Sequence, residues 1–126
     1  MISPLLRETG LALDDKLDTP VAALSGGQRQ ALALLMCTEN PADLLLFDEH
    51  TAALDPRTAE IMMHLTDRVV RETGVSALMV THNLRYAVEY GDRLLMLHEG
   101  RVVFSAEGDA KAALRVEDLL DCFNAI

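Results

Sequence analysis

The sequence predicts an α/β fold in which a parallel sheet forms the core and helices flank it. Two apolar runs of strand length occupy residues 44–47 and 75–80, and the segment between them, from about residue 57 to residue 72, has apolar residues at helical spacing. Continuous apolar runs of this kind are typical of parallel strands that are covered on both faces. A strand, a helix and a second strand in this order predict a right-handed crossover with parallel pairing.

Capping signals give the approximate ends of two helices. Ser25 and a pair of glycines directly precede an Ala- and Leu-rich segment at residues 29–38, and the proline after Asn40 ends it, because proline disfavours a helical residue before it. Asp55 is followed by proline, which suits the first helical position. Gly74 is placed to end that second helix.

The two ends of the chain predict supporting structure. Residues 1–20 are polar and mixed, with a short helix expected to end near Gly10. Beyond the second strand we expect a helix at 84–90, a hairpin of strands 93–97 and 101–104 around Glu99-Gly100, and two short helices within 109–126. The last helix has an apolar stripe that predicts docking onto the core: Val116, Leu119, Leu120 and Phe123.

Composition limits the class of protein. The 126 residues suffice for one domain, and half of them are hydrophobic. A formal net charge of -9 argues against a nucleic-acid partner, because phosphate neutralisation requires clustered Lys and Arg. We find neither an apolar run near the roughly 20 residues of a membrane helix nor a signal peptide at the start. These features lead us to expect a cytosolic protein of one domain.

Two acidic residues, Asp48 and Glu49, follow the first apolar run directly. Open α/β sheets bind ligands at the carboxyl ends of their strands. In a nucleotide hydrolase Asp48 would hold Mg²⁺ through water, and Glu49 would polarise the attacking water. Taken alone, the pair fits equally well a strand end that simply faces water.

The block Ser25-Gly26-Gly27-Gln28 precedes the first helix. Glycines let a backbone approach a phosphate closely, and a helix N-terminus favours negative charge. By itself this block also fits an ordinary capped helix after a glycine loop.

Four blocks together resemble, in order and spacing, the ATP-binding cassette ATPases. Residues 24–28 resemble the family signature, 44–49 the Walker B strand with its catalytic glutamate, 53–55 the D-loop, and His82 after Thr81 the switch histidine. The resemblance extends over nearly the whole chain. It identifies the predicted fold as the P-loop NTPase fold of these ATPases.

The resemblance implies ATP and Mg²⁺ as cofactors and assigns roles to single residues. Asp48 would hold the metal, while Glu49 and His82 would be catalytic, with His82 bonding the γ-phosphate or the attacking water. The residues implied in nucleotide binding across a head-to-tail dimer are Ser25, Gly26, Gly27, Gln28 and Asp55. Within this set the signature would contact the partner's γ-phosphate, and Asp55 would couple the two sites.

The family also implies partners and a location. A second ATPase subunit would complete the dimer, and transmembrane permease subunits would tie it to the inner face of the cell membrane. The blocks around Glu49 and His82 are similar to bacterial uptake cassettes, which points to a small solute such as an amino acid. Two alternatives remain open: a non-catalytic binding module that uses the signature surface, and a cassette ATPase outside transport.

The sequence departs from the family in three respects. It contains no Gly-x-x-x-x-Gly-Lys phosphate loop (Walker A) and no glutamine loop before the signature. We therefore expect residues 1–126 to be the carboxyl-terminal portion of an ATPase domain without its N-terminal phosphate-loop strand, inactive alone, with 1–40 ending the helical subdomain and 41–126 continuing the catalytic core. His50 also stands where proline is usual in the family.

Overall fold

The computed structural model describes residues 20–40 and 42–126, which fall into two compact units that divide after Val80. The short helix predicted before Gly10 lies outside the described residues. In the first unit a 3₁₀ turn at Val21–Ala23 leads to helix α1 (Gly26–Glu39), strand β1 (Leu44–Asp48), helix α2 (Pro56–Thr73) and strand β2 (Ser76–Val80).

Strands β1 and β2 pair in parallel, as predicted. Leu44 lies opposite Ser76, and Asp48 lies opposite Val80, so the two strands end at the same edge. Gly74 ends α2 in the left-handed conformation at φ 69°, and its N–H donates to the Val70 carbonyl at 3.0 Å. Glycine adopts this conformation without steric cost, which is why the helix stops there.

The core of the first unit lies between α1 and α2. Leu35 of α1 and Met62 of α2 are completely buried, and Phe47 of β1 packs against the same cluster. The buried members of the cluster are Leu24, Ala31, Leu34, Leu35, Met62, Leu65 and Val69. The apolar stripes on the two helices therefore bury each other, and Phe47 brings one face of β1 against them.

The opposite face of this sheet is exposed, so the expectation of strands covered on both faces is wrong for the described chain. Leu46 keeps 69% of its surface accessible and Leu78, its partner across the pair, keeps 56%. Side chains alternate between the faces of a strand. Phe47 therefore points to the helices and Leu46 points away from them.

A glycine allows α1 and α2 to approach closely. A Cβ atom on Gly27 would lie 2.6 Å from Cγ2 of Thr58 and 3.7 Å from Cδ2 of Leu54. A Cβ on Gly26 would meet nothing within 4 Å. The second glycine of the pair is thus required by helix packing, and the first is not.

The second unit comprises helix α3 (Leu84–Glu89), strands β3 (Arg93–His98) and β4 (Arg101–Glu107), and helices α4 (Gly108–Ala112) and α5 (Val116–Ala125). The hairpin turns at Glu99 and Gly100, whose φ angles are 48° and 75°. Two successive positive φ angles are typical of the tight turn that suits antiparallel strands. The predicted hairpin is therefore confirmed, although β4 continues three residues further than expected.

Helix α5 docks through fewer residues than its stripe predicts. Leu119 is buried against Leu94 and Met96 of β3, but Leu120 and Phe123 remain 46% and 48% exposed. Cys122, one turn after Leu119, packs on the cluster instead. The inward face of α5 therefore lies to one side of the predicted stripe.

Lys111 of α4 is buried and ties that helix to the end of α3. Its Nζ donates to the carbonyl of Val88 and, at 2.8 Å, to that of Tyr90. Burial lowers the pKa of Lys111, and the charge of Asp92 acts in the opposite direction. The ammonium group satisfies carbonyls that the short helix α3 leaves unpaired at its end.

None of the helices in the described part of the chain combines the length and the apolar character that crossing a membrane requires.

The close contact at Gly27 predicts opposite effects of two neighbouring substitutions. Gly27→Ala should lower the free energy of unfolding by roughly 1–3 kcal/mol, because the added methyl group collides with Thr58. The matched control Gly26→Ala should leave it unchanged or raise it by up to about 1 kcal/mol, since alanine favours helix. Urea unfolding measures both. Adding Thr58→Ser, which removes Cγ2, should restore the free energy of unfolding that Gly27→Ala loses. Equal effects of alanine at the two glycines would rule out the packing argument.

Lys111→Met should lower the free energy of unfolding by roughly 1–3 kcal/mol near neutral pH, since it leaves two carbonyls without their donor. The difference between the native chain and the variant should also depend on pH. The folded pKa lies below the ordinary 10.5, so between the two values the unfolded chain binds more protons and stability rises with pH. Denaturant titrations from pH 7 to 11 should show that the free energy of unfolding of the native chain rises relative to that of Lys111→Met. A fall in this difference with pH would contradict the assignment.

Candidate functional site

The carboxyl end of β1 presents two exposed carboxylates. Asp48 is the last residue of the strand, and the N–H of Glu49 donates to the Val80 carbonyl at 2.8 Å, which extends the pairing with β2 by one bond. Both side chains are exposed. The strand thus delivers both acids to the sheet edge at which α/β folds bind ligands.

Glu49 has a backbone conformation that is rare for a residue with a side chain. Its φ angle is 49°, in the left-handed region, where an L-residue costs about 1–2 kcal/mol. Its backbone makes two hydrogen bonds: its N–H donates to Val80, and its carbonyl accepts the Ala52 N–H at 3.0 Å. Strained residues that their surroundings hold in place concentrate at functional sites.

His50 anchors the turn that follows. Its ring lies 4.7 Å from the ring of Phe47, centroid to centroid, and its Nε2 lies 3.0 Å from Oγ1 of Thr66. Thr66 is buried in α2 and donates its own hydroxyl proton to the Met62 carbonyl at 2.7 Å. Burial lowers the pKa of His50, which favours the neutral imidazole.

The end of this turn forms the cap of α2. The N–H of Leu54 donates to the Thr51 carbonyl at 3.1 Å, and Leu54 packs against the core between the helices. Oδ2 of Asp55 accepts the Thr58 N–H at 3.2 Å. Hydrogen bonds from Thr58, from its side chain first and then its backbone, lower the pKa of Asp55. Asp55 is therefore a charged, exposed cap at the start of α2.

The block at Ser25 forms a complete capping box at the start of α1. Oγ of Ser25 accepts the Gln28 N–H at 3.1 Å, and Oε1 of Gln28 accepts the Ser25 N–H at 3.0 Å. Gly26 borders open space, whereas Gly27 is buried against Thr58 and Leu54. The starts of α1 and α2 therefore lie side by side, which brings the signature block next to the segment that ends at Asp55.

His82 lies in the second unit, two residues after β2. Oγ1 of Thr81 accepts the Asn83 N–H at 3.0 Å, so a small turn closes around His82. Oδ1 of Asn83 in turn caps α3 by accepting the Tyr86 N–H at 3.2 Å. The His82 side chain is exposed. These bonds fix its backbone, and its catalytic role stays a prediction.

The donor set fits a magnesium ion that arrives with its nucleotide. In residues 20–40 and 42–126 no group of three or more His, Cys, Asp or Glu side chains is arranged to hold a metal by itself. Mg²⁺ keeps several waters and is bound through one or two carboxylates together with substrate phosphates. A single exposed carboxylate at Asp48 suits that mode of binding.

Sequence reasoning missed one part of this site, the pair His50 and Thr66. His50 stood out only as a departure from a family pattern, and its partner lies 16 residues later. A signal for Thr66 was present, because it is a polar residue within the apolar stripe formed by Met62, Leu65 and Val69. A buried hydroxyl needs a partner, although the sequence does not say which one.

Comparison with known proteins gives close matches to part of a larger family. The chain is 52% identical over 116 residues to a tyrosine transport ATP-binding protein of Clostridioides difficile, which covers 90% of this chain and 46% of that protein. It is 42% identical over 98 residues to an aliphatic sulfonates import ATP-binding protein of Rhodopseudomonas palustris, covering 78% and 34%. A methionine import ATP-binding protein of Rhodococcus jostii is 39% identical over 102 residues, covering 81% and 29%. The chain spans less than half the length of each relative.

Solved structures agree on the fold. A nucleotide-free ATP-binding cassette from an ABC transporter matches with a TM-score of 0.68 at 20% identity, covering 94% of this chain and 45% of that one. An inward-facing ABC transporter of the metal-chelate type matches with a TM-score of 0.69 at 24% identity, covering 98% and 48%. No family model matches the chain. In sequence, most of the chain is homologous to part of the ATP-binding proteins of ATP-binding cassette transporters, and its fold is that of their ATPase domains.

Proposed function

We propose that this chain is the carboxyl-terminal part of the ATP-binding subunit of a transporter, and that the subunit couples ATP binding and hydrolysis to the uptake of a small solute. The observation that carries the proposal is the pair of exposed acids at the end of β1, with Glu49 held in a left-handed turn. The names of the relatives support uptake: two concern tyrosine transport and methionine import, and others concern sulfonates and phosphonates. Within this proposal the solute is a small one such as an amino acid.

In this proposal the two acids have different tasks. Asp48 holds Mg²⁺ through water, and the bound ion supplies charge neutralisation at the phosphates. Glu49 orients the attacking water and accepts its proton. Glu49 stands one residue beyond the strand, and its backbone is hydrogen-bonded on both sides.

The signature block serves a nucleotide held by the partner subunit. The Ser25 hydroxyl can donate to a phosphate oxygen while its lone pair still accepts the Gln28 N–H. The open space at Gly26 leaves the first turn of α1 accessible, and the N–H groups there favour an anion. Gln28 acts indirectly, because its side chain holds Ser25 in place.

Asp55 couples the two nucleotide sites through the packing of the helices. It caps α2 at Thr58, the residue that Gly27 of the signature contacts. A displacement of the signature helix is therefore transmitted to the turn that carries Asp55. His82 has a separate proposed role, a hydrogen bond to the γ-phosphate or to the attacking water.

The partners follow from the same proposal. A second ATPase subunit forms a head-to-tail dimer with this one, and transmembrane permease subunits hold the dimer at the cytoplasmic face of the membrane. The relatives that are transport and import proteins support this arrangement. The net charge of -9 argues against a nucleic-acid partner.

We further infer that these 126 residues do not hydrolyse ATP by themselves. They contain no Gly-x-x-x-x-Gly-Lys sequence, the loop whose backbone and lysine cradle the phosphates. In isolation the acids of β1 would have no bound nucleotide on which to act.

A chimera tests the proposal. This chain replaces the matching segment of the 52% identical transport protein, and the chimera and the chain alone are compared by calorimetry with MgATP and by phosphate release. The chimera should bind and hydrolyse ATP, and the chain alone should do neither. Glu49→Gln in the chimera should lower kcat by roughly 10²–10⁴-fold, the usual contribution of a general base, while binding of MgATP persists.

Asp48→Asn provides the complementary variant, since it should weaken binding of MgATP but not of metal-free ATP. Full turnover in the Glu49→Gln chimera would refute the assignment of the base. Binding of MgATP by the chain alone would instead support a binding module with its own phosphate site.

A further inference from the structure

We propose that His50 is a positioning residue for Glu49, and that its side-chain anchor on Thr66 keeps the Glu49 backbone left-handed and so directs the carboxylate. The proposal rests on the proposed function only for what the carboxylate does. The conformational coupling between His50 and Glu49 stands on the geometry of this chain.

The first step of the argument is that the conformation of Glu49 requires support. At φ 49° a residue with a Cβ is strained, so its surroundings must hold it in that conformation. The N–H bond to Val80 belongs to the strand pairing and would form for an extended residue as well. The Ala52 bond is a turn contact within four residues. The conformation therefore depends on what fixes the turn itself.

The second step is that His50 fixes the turn at a rigid point. Its ring packs against Phe47 and reaches Thr66, and both of these residues adjoin the core between α1 and α2. Thr66 is only 6% exposed and is bonded to Met62, which is completely buried. The imidazole thus connects the turn after Glu49 to a buried part of α2.

The third step gives the direction of the hydrogen bond. A threonine hydroxyl has one proton, and Thr66 gives it to the Met62 carbonyl. With that proton directed to the Met62 carbonyl, Oγ1 accepts from His50 in the tautomer that carries its proton on Nε2. In this arrangement a side chain at position 50 needs a donor at the place of Nε2, and the tautomer is measured below.

The fourth step is that the residue type at position 50 limits the backbone conformation of Glu49. A proline at this position would drive Glu49 to an extended conformation with φ near −120°, which is incompatible with the observed 49°. It would also remove the bond to Thr66. The residue type at position 50 therefore decides both the backbone of Glu49 and its anchor.

Two matched pairs of variants test the proposal in the full chain by NMR. The readout is the strong intraresidue HN–Hα NOE of Glu49, which marks a left-handed residue, together with the imidazole ¹⁵N shifts of His50, which report the tautomer. His50→Ala and Thr66→Val should lose the Glu49 signature. His50→Gln, whose amide supplies a donor near the position of Nε2, and Thr66→Ser, which keeps the hydroxyl, should retain it.

The amide shifts of Asp48 and Val80 serve as the control, because they should stay unchanged if the strand pairing is intact. A left-handed Glu49 in both His50→Ala and Thr66→Val would overturn the proposal, as would its loss in Thr66→Ser. If His50→Ala fails to fold, the Thr66 pair decides alone.

The chimera adds a functional readout. There His50→Ala should lower kcat at least tenfold with KM little changed, and His50→Gln should recover most of the loss. If the NMR result holds and the chimera with native His50 shows no hydrolysis, the proposed function fails while the coupling stands. If hydrolysis occurs and His50→Ala leaves kcat unchanged, the positioning role is refuted.

Discussion

The packing of α1 against α2 is the interaction on which the rest of the first unit depends. Leu35 of α1 and Met62 of α2 are completely buried. At the N-terminal end of α1, Gly27 has no side chain and therefore lies close to Thr58 of α2. Each deleted buried side chain in such a cluster costs about 2–5 kcal/mol. The same packing supplies the surface that Phe47 covers, so it also determines which face of β1 turns inward.

The candidate site takes its geometry from that core at two points. At the start of the helices, the packing places the Ser25 cap beside the Asp55 cap, so two exposed helix N-termini share one surface. At the end of β1, the Thr66 hydroxyl of α2 is hydrogen-bonded to His50, which lies in the turn after Glu49. Residues that look unrelated along the chain are therefore coupled through α2, which runs between both groups.

Much of the fold follows from local rules and could be predicted. The crossover from β1 through α2 to β2, the cap at Asp55, the stop at Gly74 and the turn at Glu99-Gly100 each rest on residues within a few positions of one another. The predictions that were wrong concern which side chains other segments of the chain cover. The sequence indicated buried strands, but whether Leu46 is covered depends on what packs over it, and the face that Leu119 shows on α5 depends on β3.

The amino-acid sequence alone identifies the residues with chemistry and their order: a capped glycine block, two acids after an apolar run, and a histidine after the next run. Local spacing suffices for this, because capping, strand ends and turns are short-range events. Three features become visible in the folded chain alone: Gly27 serves helix packing, Glu49 is left-handed, and His50 is hydrogen-bonded to Thr66. Those features depend on contacts between segments far apart in the chain, and a one-dimensional pattern does not specify which side chains meet.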